Sequence, residues 1–309
     1  MAAFDTEARL IDLLDKVKRE NASMQWHHGV RGLTLDLDFL AVAGATSDFL
    51  QLWEHGVPLG ALSAESRCTP NHPSVRTHNT WAENEWSRLE ELGKVSFFPS
   101  GAPRPLSLNV NPCGLLLKER AGSLPDASEQ ERWKARLILD LRKGRVNERV
   151  PHVGVSYGTV DMAVSRMHKG DFMFVVDLQD CFFNWRVCDA DSYLLGFYSH
   201  ERRQFGRYRF LPFGLSPAPG LNDRSIKELL RLLEQNSAVR LLDFVDDLLG
   251  AERSCSSAWA ALERTVDFFL AAGVPVSAKP TGIRPPCTRQ SWIGWIFDTI
   301  LGAVTVAQE

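Results

Sequence analysis

The sequence predicts an α+β fold, on three observations. The N-terminal hundred residues carry helix-period apolar spacing and then a loop-rich run. From residue 113 the pattern changes to short apolar runs of strand length. Two long amphipathic stretches, 216–235 and 256–272, lie among those runs. The 309 residues are 44% hydrophobic and 24% charged, which excludes a long disordered chain, a collagen and a coiled coil and leaves one large domain or two ordinary ones. No run approaches the ~18 apolar residues of a membrane span, and the first residues lack the basic-then-apolar order of a secretory signal. The six cysteines are scattered with no Cys-x-x-Cys pair, so neither a zinc site nor a disulfide framework is expected. The reading is a reduced intracellular protein, in nucleus or cytoplasm, with no membrane partner.

Taken in order, Leu10, Ile11, Leu13, Leu14 and Val17 fit one helix face, and residues 47–55 fit a short helix ending at Gly56. Residues 57–80 read as an extended loop, 81–92 as a third helix stopped by Gly93, and the four prolines between 95 and 112 deny helix. Residues 113–117 and 137–141 read as strands joined by a polar insert. The apolar run 172–178 reads as a buried strand, and 197–210 as two strands around a charged turn. Ser216 offers a helix N-cap with Pro217 at the first helical position, and Leu221, Leu229, Leu230 and Leu233 would face inward. Residues 239–250 read strand–turn–strand, 256–272 as a helix stopped by Gly273, and 292–297 as a further strand.

The charge is unevenly spread. Lys and Arg number 35 and Asp and Glu 38, a net charge of −3, which by itself argues mildly against a nucleic-acid partner. Yet residues 132–149 hold seven bases against two acids, and 201–209 hold four arginines against Glu201. The average conceals basic stripes suited to phosphate.

Asp246-Asp247 is uninformative as a dipeptide; its context is not. Apolar residues flank the pair on both sides, which would place it at the tight turn of a buried hairpin. Adjacent carboxylates near a core repel and lose solvation unless a cation neutralises them. A solvated turn is the plain alternative. Asp177 ends the apolar run 172–178. If that strand lies beside the hairpin, Asp177 and Asp246 meet in a cluster suited to two divalent ions.

Several segments, in order, resemble the reverse transcriptases of retroelements from about residue 95 to 298. Val176-Asp-Leu-Gln-Asp-Cys-Phe-Phe183 is similar to the first palm motif, and Leu211-Pro-Phe-Gly-Leu-Ser-Pro-Ala-Pro219 to the family's most specific segment. Phe244-Val-Asp-Asp247 resembles the Tyr-x-Asp-Asp box, and Lys134-Ala-Arg-Leu-Ile-Leu-Asp-Leu-Arg142 with Asn147 the fingers motif. Gly273, Lys279 and Trp292-Ile-Gly-Trp-Ile296 fit the segments that follow. The Pro-Phe-Gly-Leu wording, with Trp53-Glu-His-Gly-Val-Pro58, looks most like the DIRS or Ty3/Gypsy-like elements.

The resemblance implies a right-hand polymerase: fingers and palm, an antiparallel palm sheet backed by helices, and no thumb. Residues 1–94 would be a helical, loop-rich extension, 95–170 mostly fingers, and 171–309 palm with a fingers return segment, ending at the primer-grip strand. Carried over, Asp177, Asp246 and Asp247 become the catalytic, metal-holding carboxylates for two Mg2+ (or Mn2+) ions, with Asp247 supporting the turn or the metal shell. Lys118 and Arg136 would meet the triphosphate of a dNTP. Phe182 would exclude a ribose 2′-OH. Phe213 and Gly214 would lie against the template–nucleotide pair, Lys279 near the leaving pyrophosphate. Trp292 and Gly294, with Trp295, would position the DNA primer on an RNA or DNA template. For Lys118, Arg136, Phe182 and Lys279, ordinary surface or core roles stay open.

Two positions depart from the family pattern. Phe244 stands for the usual Tyr and Cys181 for the usual Ala. The chain also stops soon after the primer-grip segment, which puts activity of the isolated chain in question. The alternative to a polymerase is a catalytically inactive nucleic-acid-binding module derived from one.

Overall fold

The computed structural model describes residues 3–24, 26–27, 30–62, 66–119 and 133–307. Most of the polar insert, Arg132 included, lies outside them.

The N-terminal region is helical. α1 (Ala3–Ser23) buries Leu13 and Val17. Ile11, expected on the same face, is 51% exposed, because a residue two positions away sits on the far side of a 3.6-residue turn. α2 (Leu37–Val42) is capped by the Asp36 carboxylate, which accepts from the Phe39 N–H at 2.8 Å. α3 (Ser47–His55) ends at Gly56, φ +85°. Within the expected loop 57–80, Pro73 opens the short α4 (Pro73–Thr77), its fixed φ suiting a first turn. α5 (Asn79–Glu91) is followed by Gly93 at φ +69°.

Four antiparallel sheets follow among the described residues. β1 (Val95–Phe97), β5 (Gly196–Ser199) and β6 (Gln204–Tyr208) pair in the order β1-β6-β5. β2 (Cys113–Glu119) and β3 (Trp133–Leu139) form a hairpin. β4 (Phe172–Asp177), β7 (Leu241–Phe244), β8 (Asp247–Glu252) and β9 (Ile283–Cys287) pair in the order β7-β8-β4-β9. β4 alternates Phe174 and Val176 into the main core with Met173 and Val175 into a second cluster around Trp292 and Phe297. Burial on both faces explains its continuous apolar run.

β10 (Arg289–Trp292), β11 (Trp295–Asp298) and β12 (Ala303–Val306) make the last sheet. The single strand expected over 292–297 is thus two. Ile293 (φ +45°) and Gly294 (φ +82°) turn the chain between Trp292 and Trp295, which pair with each other. Two successive positive φ values are what a tight hairpin turn of the right twist requires.

Helices back the four-stranded sheet. α6 (Val160–Arg166) packs Ala163 against the Trp292 cluster. α7 (Ala218–Ser237) starts after Pro217, which itself holds the N-cap position, so Ser216 is not the cap. Its buried face includes Asn222, Asp223, Ile226, Leu229, Leu232 and Leu233, while Leu221 and Leu230 are only half-buried. α8 (Cys255–Ala271) lies across β4, β8 and β9 and also meets α1, where Arg9 grips Glu263 at 2.7 Å and Lys16 reaches Asp267 at 2.5 Å. One apolar core runs from Leu13 and Trp53 through Trp86 and Trp185 to Trp259, so residues before 95 pack on the same core as the four-stranded sheet.

Candidate active site

Strand pairing brings the carboxylates together. Asp177 is the last residue of β4 and Asp247 the first of β8, and the two are partners across the ladder. Asp246 occupies the β7–β8 turn, where its carbonyl accepts from the Leu178 N–H at 2.9 Å. The turn is two residues long, since Phe244 pairs with Asp247. Its first residue, Val245, has φ +61°, a region that a β-branched side chain seldom enters.

Asn222 of α7, fully buried, holds this turn. Its Nδ2 donates to the Val245 carbonyl at 3.1 Å, while its Oδ1 accepts from Trp185 Nε1 at 2.6 Å and from the Cys181 thiol at 3.0 Å. The Cys181 thiol is pushed well up by burial and by the neighbouring Asp246 charge, so it serves as a donor in this network.

Asp177 and Asp246 line a cleft of about 460 Å³ together with Phe182, Phe213, Arg136 and Lys279. Burial, then the charges of Asp177 and Asp247, push the Asp246 carboxyl up to about 6. Lys279 lowers it slightly from across the cleft. Asp247 turns elsewhere. It faces Arg284 of β9 at 3.4 Å, which only partly offsets the rise that burial imposes. Among the described residues, no three His, Cys, Asp or Glu side chains gather into a ready-made metal cage. Mg2+ does not require one, because it is commonly held by one or two carboxylates with water and substrate phosphates completing the shell. Two hard-oxygen donors, the charge of Asp177 raising the proton affinity of Asp246, fit that role.

The other expected residues divide. Phe182, on the short 3-10 helix Cys181–Asn184, meets Phe213 edge-on at 5.4 Å, and Arg136 lies over the Phe213 ring at 5.4 Å. Lys118 is exposed on β2, opposite Lys134, and does not line the cleft. Gly214 (φ +100°) backs onto β3, where a Cβ would come within 2.3 Å of the Leu139 carbonyl. It borders a neighbouring groove with Asp140. Asn147, quoted in the fingers motif, ties this loop by donating to the Gly214 carbonyl at 2.8 Å and accepting from the Ser216 N–H at 2.9 Å. Trp292 is 1% exposed, inside the second apolar cluster. Any effect of Trp292 on a bound strand acts through the turn that it anchors, where Gly294 is open and Trp295 is 36% exposed.

Sequence reasoning missed Arg88. This α5 residue donates to Asp180 at 2.8 Å and forks onto Glu85, and it lines the same cleft. Asp180 has φ +49° and precedes the helix that carries Phe182, so the ion pair steadies a strained residue. Its spacing from Glu85 is that of an ordinary helix-surface pair and does not single Arg88 out. Asp180 stood in the quoted motif, but its partner lies 92 residues away.

These features are consistent with the palm and fingers of a polymerase, and comparison with known proteins agrees. The family described as reverse transcriptase (RNA-dependent DNA polymerase) matches residues 135–290. The chain belongs to the reverse transcriptase family. The Gag-Pol polyprotein of Rous sarcoma virus subgroup B (strain Schmidt-Ruppin) is 29% identical over 150 residues, 46% of this chain and 9% of the polyprotein. The intracisternal A-particle Pol-related polyprotein of mouse intracisternal a-particle MIA14 is 28% identical over 143 residues, 44% of this chain and 16% of that protein. Among solved structures, a foamy viral protease-reverse transcriptase in complex with an RNA/DNA hybrid superposes with a TM-score of 0.58 at 16% identity. It matches 85% of this chain and 34% of the other. A second foamy viral structure, in complex with double-stranded DNA, gives 0.56 at 16% identity over 85% of this chain and 46% of that one. The chain therefore spans less than half of each of these proteins, and the structures establish the fold.

Proposed function

We propose that this chain extends a DNA primer on an RNA or DNA template by nucleotidyl transfer with two divalent ions, as part of a DIRS or Ty3/Gypsy-like retroelement. The observation that carries the reading is the meeting of Asp177, from a strand end, and Asp246, from a hairpin turn, in one cleft with Arg136 and Lys279. Mg2+ or Mn2+, when bound, would lower the pKa of the primer 3′-OH and neutralise the triphosphate. Asp177 and Asp246 would hold the ions, and Asp247, held by Arg284, would fix the turn beside them. Arg136 would grip the triphosphate through its planar fork and Lys279 would meet the departing pyrophosphate. Phe182, packed against Phe213, would form a wall under the sugar that a 2′-OH cannot pass. Gly214 would keep the floor under the template base flat, the hairpin turn at Gly294 would touch the primer, and Lys118 would act from the outer hairpin.

Primer extension with dNTPs and Mg2+ tests this. Asp177→Asn and Asp246→Asn should each lower extension by about a thousandfold or more while primer–template binding persists. Equal extension by Asp246→Asn and the unmutated chain would sink the proposal. Tight, salt-sensitive binding with no extension by any form would instead favour the inactive module.

A further inference from the structure

The sheet β1-β6-β5 has two unlike faces. Val95, Phe197 and Tyr208 point into the core, each at most 2% exposed. The opposite face is aromatic too, yet only partly covered. Tyr198 and Phe205 are direct cross-strand partners with ring centroids 4.9 Å apart. Phe98 and Tyr193 flank them, 6.1 Å apart, and the Arg207 guanidinium lies 4.3 Å from the Tyr193 ring and 5.9 Å from Phe98. Charge balance points the same way. Arg186, Arg207 and Arg209 all donate to Asp189. Arg186 and Arg209 pair with it, whereas Arg207 reaches only the Asp189 carbonyl and the Ser192 hydroxyl. Burial, and lastly repulsion from Arg209, lower the Arg207 pKa against the attraction of Tyr193 and Asp189. None of these residues lines the cleft that holds Asp177 and Asp246.

We infer that this outer face binds single-stranded nucleic acid, with unpaired bases stacking on the rings and phosphates meeting Arg207 and Arg209. Aromatic rings give base-tolerant stacking and arginines give backbone attraction, the combination that single strands need. An acidic peptide would satisfy the arginines but leave the rings unused. The inference does not rest on the catalytic reading, because no ion, dNTP or chemical step enters it.

The test uses a labelled 12-mer oligo-U and the full chain, read by fluorescence anisotropy across a salt series, with and without excess unlabelled primer–template. Binding should survive the primer–template. Tyr198→Ser with Phe205→Ser should weaken it by about tenfold or more. Arg207→Gln should reduce the slope of log affinity against log salt by about one. Both variants should extend primers normally, if the chain extends them at all. Three results overturn the inference: unchanged oligo-U binding by both variants, complete displacement by primer–template, or binding of poly-glutamate by the unmutated chain as tight as that of oligo-U. If the ring variant fails to fold, Arg207→Gln and crosslinking of 4-thiouridine oligomers decide. Crosslinks confined to segments outside 189–209 and the stretch around Phe98 count against it.

Discussion

At the scale of single residues, Asp246 concentrates the conflict between stability and chemistry. Its carboxyl, pushed up to about 6 by burial and by Asp177 and Asp247, keeps a proton in the folded chain that the unfolded chain has already released between about pH 4 and 6. The folded state therefore gains from acid in that window and loses that gain as pH climbs through 6. At pH 7.5 the metal-free site is a net cost. Asp246→Asn is expected to raise the metal-free melting temperature by a few degrees and, on the proposed two-ion reading, to abolish the further rise expected of the unmutated chain in millimolar Mg2+. Differential scanning fluorimetry with and without Mg2+ checks both. A lower melting temperature for the metal-free variant would show that the carboxylate is already compensated inside the protein.

At the scale of elements, the β7–β8 hairpin depends on a helix remote in sequence. Val245 stays at φ +61° because Asn222 donates to its carbonyl, and the same amide accepts from Trp185 and Cys181. Asn222→Ala would strand those groups in a dry interior, at about 1–3 kcal/mol for each left unpaired. Urea unfolding should show a loss of about 3 kcal/mol, with extension falling as the turn loosens. The hairpin itself was legible, because apolar runs on both sides of an acidic pair leave little else. So were α3, α5, α8 and the strand ending in Asp177. The buried face of α7 was not, since reading leucines alone overlooks Asn222 and Asp223, polar side chains buried for their hydrogen bonds. The turn at Ile293–Gly294 was hidden inside an apolar run that suits one strand as well as two. In the site, the acids were readable from their surroundings. Arg88 and Arg284 were not, because each meets its partner only through tertiary packing.

At the scale of the whole molecule, Lys94 joins the N-terminal region to the sheets. Fully buried, it donates to the Gly32 carbonyl at 2.6 Å and sits 4.2 Å from the Phe210 ring. Burial lowers its pKa to about 7. Below that pH both folded and unfolded chains carry the proton, and the folded chain bears the whole cost of the buried charge. Between about 7 and 10.5 only the unfolded chain keeps it, so stability should rise with pH by up to ~1.4 kcal/mol per unit. Lys94→Met should flatten that rise and be relatively most stabilising near neutral pH. Urea midpoints at pH 7 and pH 9 for the two proteins decide it, and parallel curves would refute it.

The pairing of Asp177 with Asp247 reaches past the molecule at rest. The partners stand 70 positions apart, and α7 with the strands β5 and β6 must be threaded between them. Contacts so distant along the chain close late, after local helices and hairpins have formed. A slip of one residue would turn every side chain of β4 to the wrong face and part the acids. On the proposed function, a chain emerging from the ribosome would hold its three carboxylates long before they could work together. Half-made copies would be inert toward nucleic acid chemistry, and competence would arrive with the last correct pairing of the sheet.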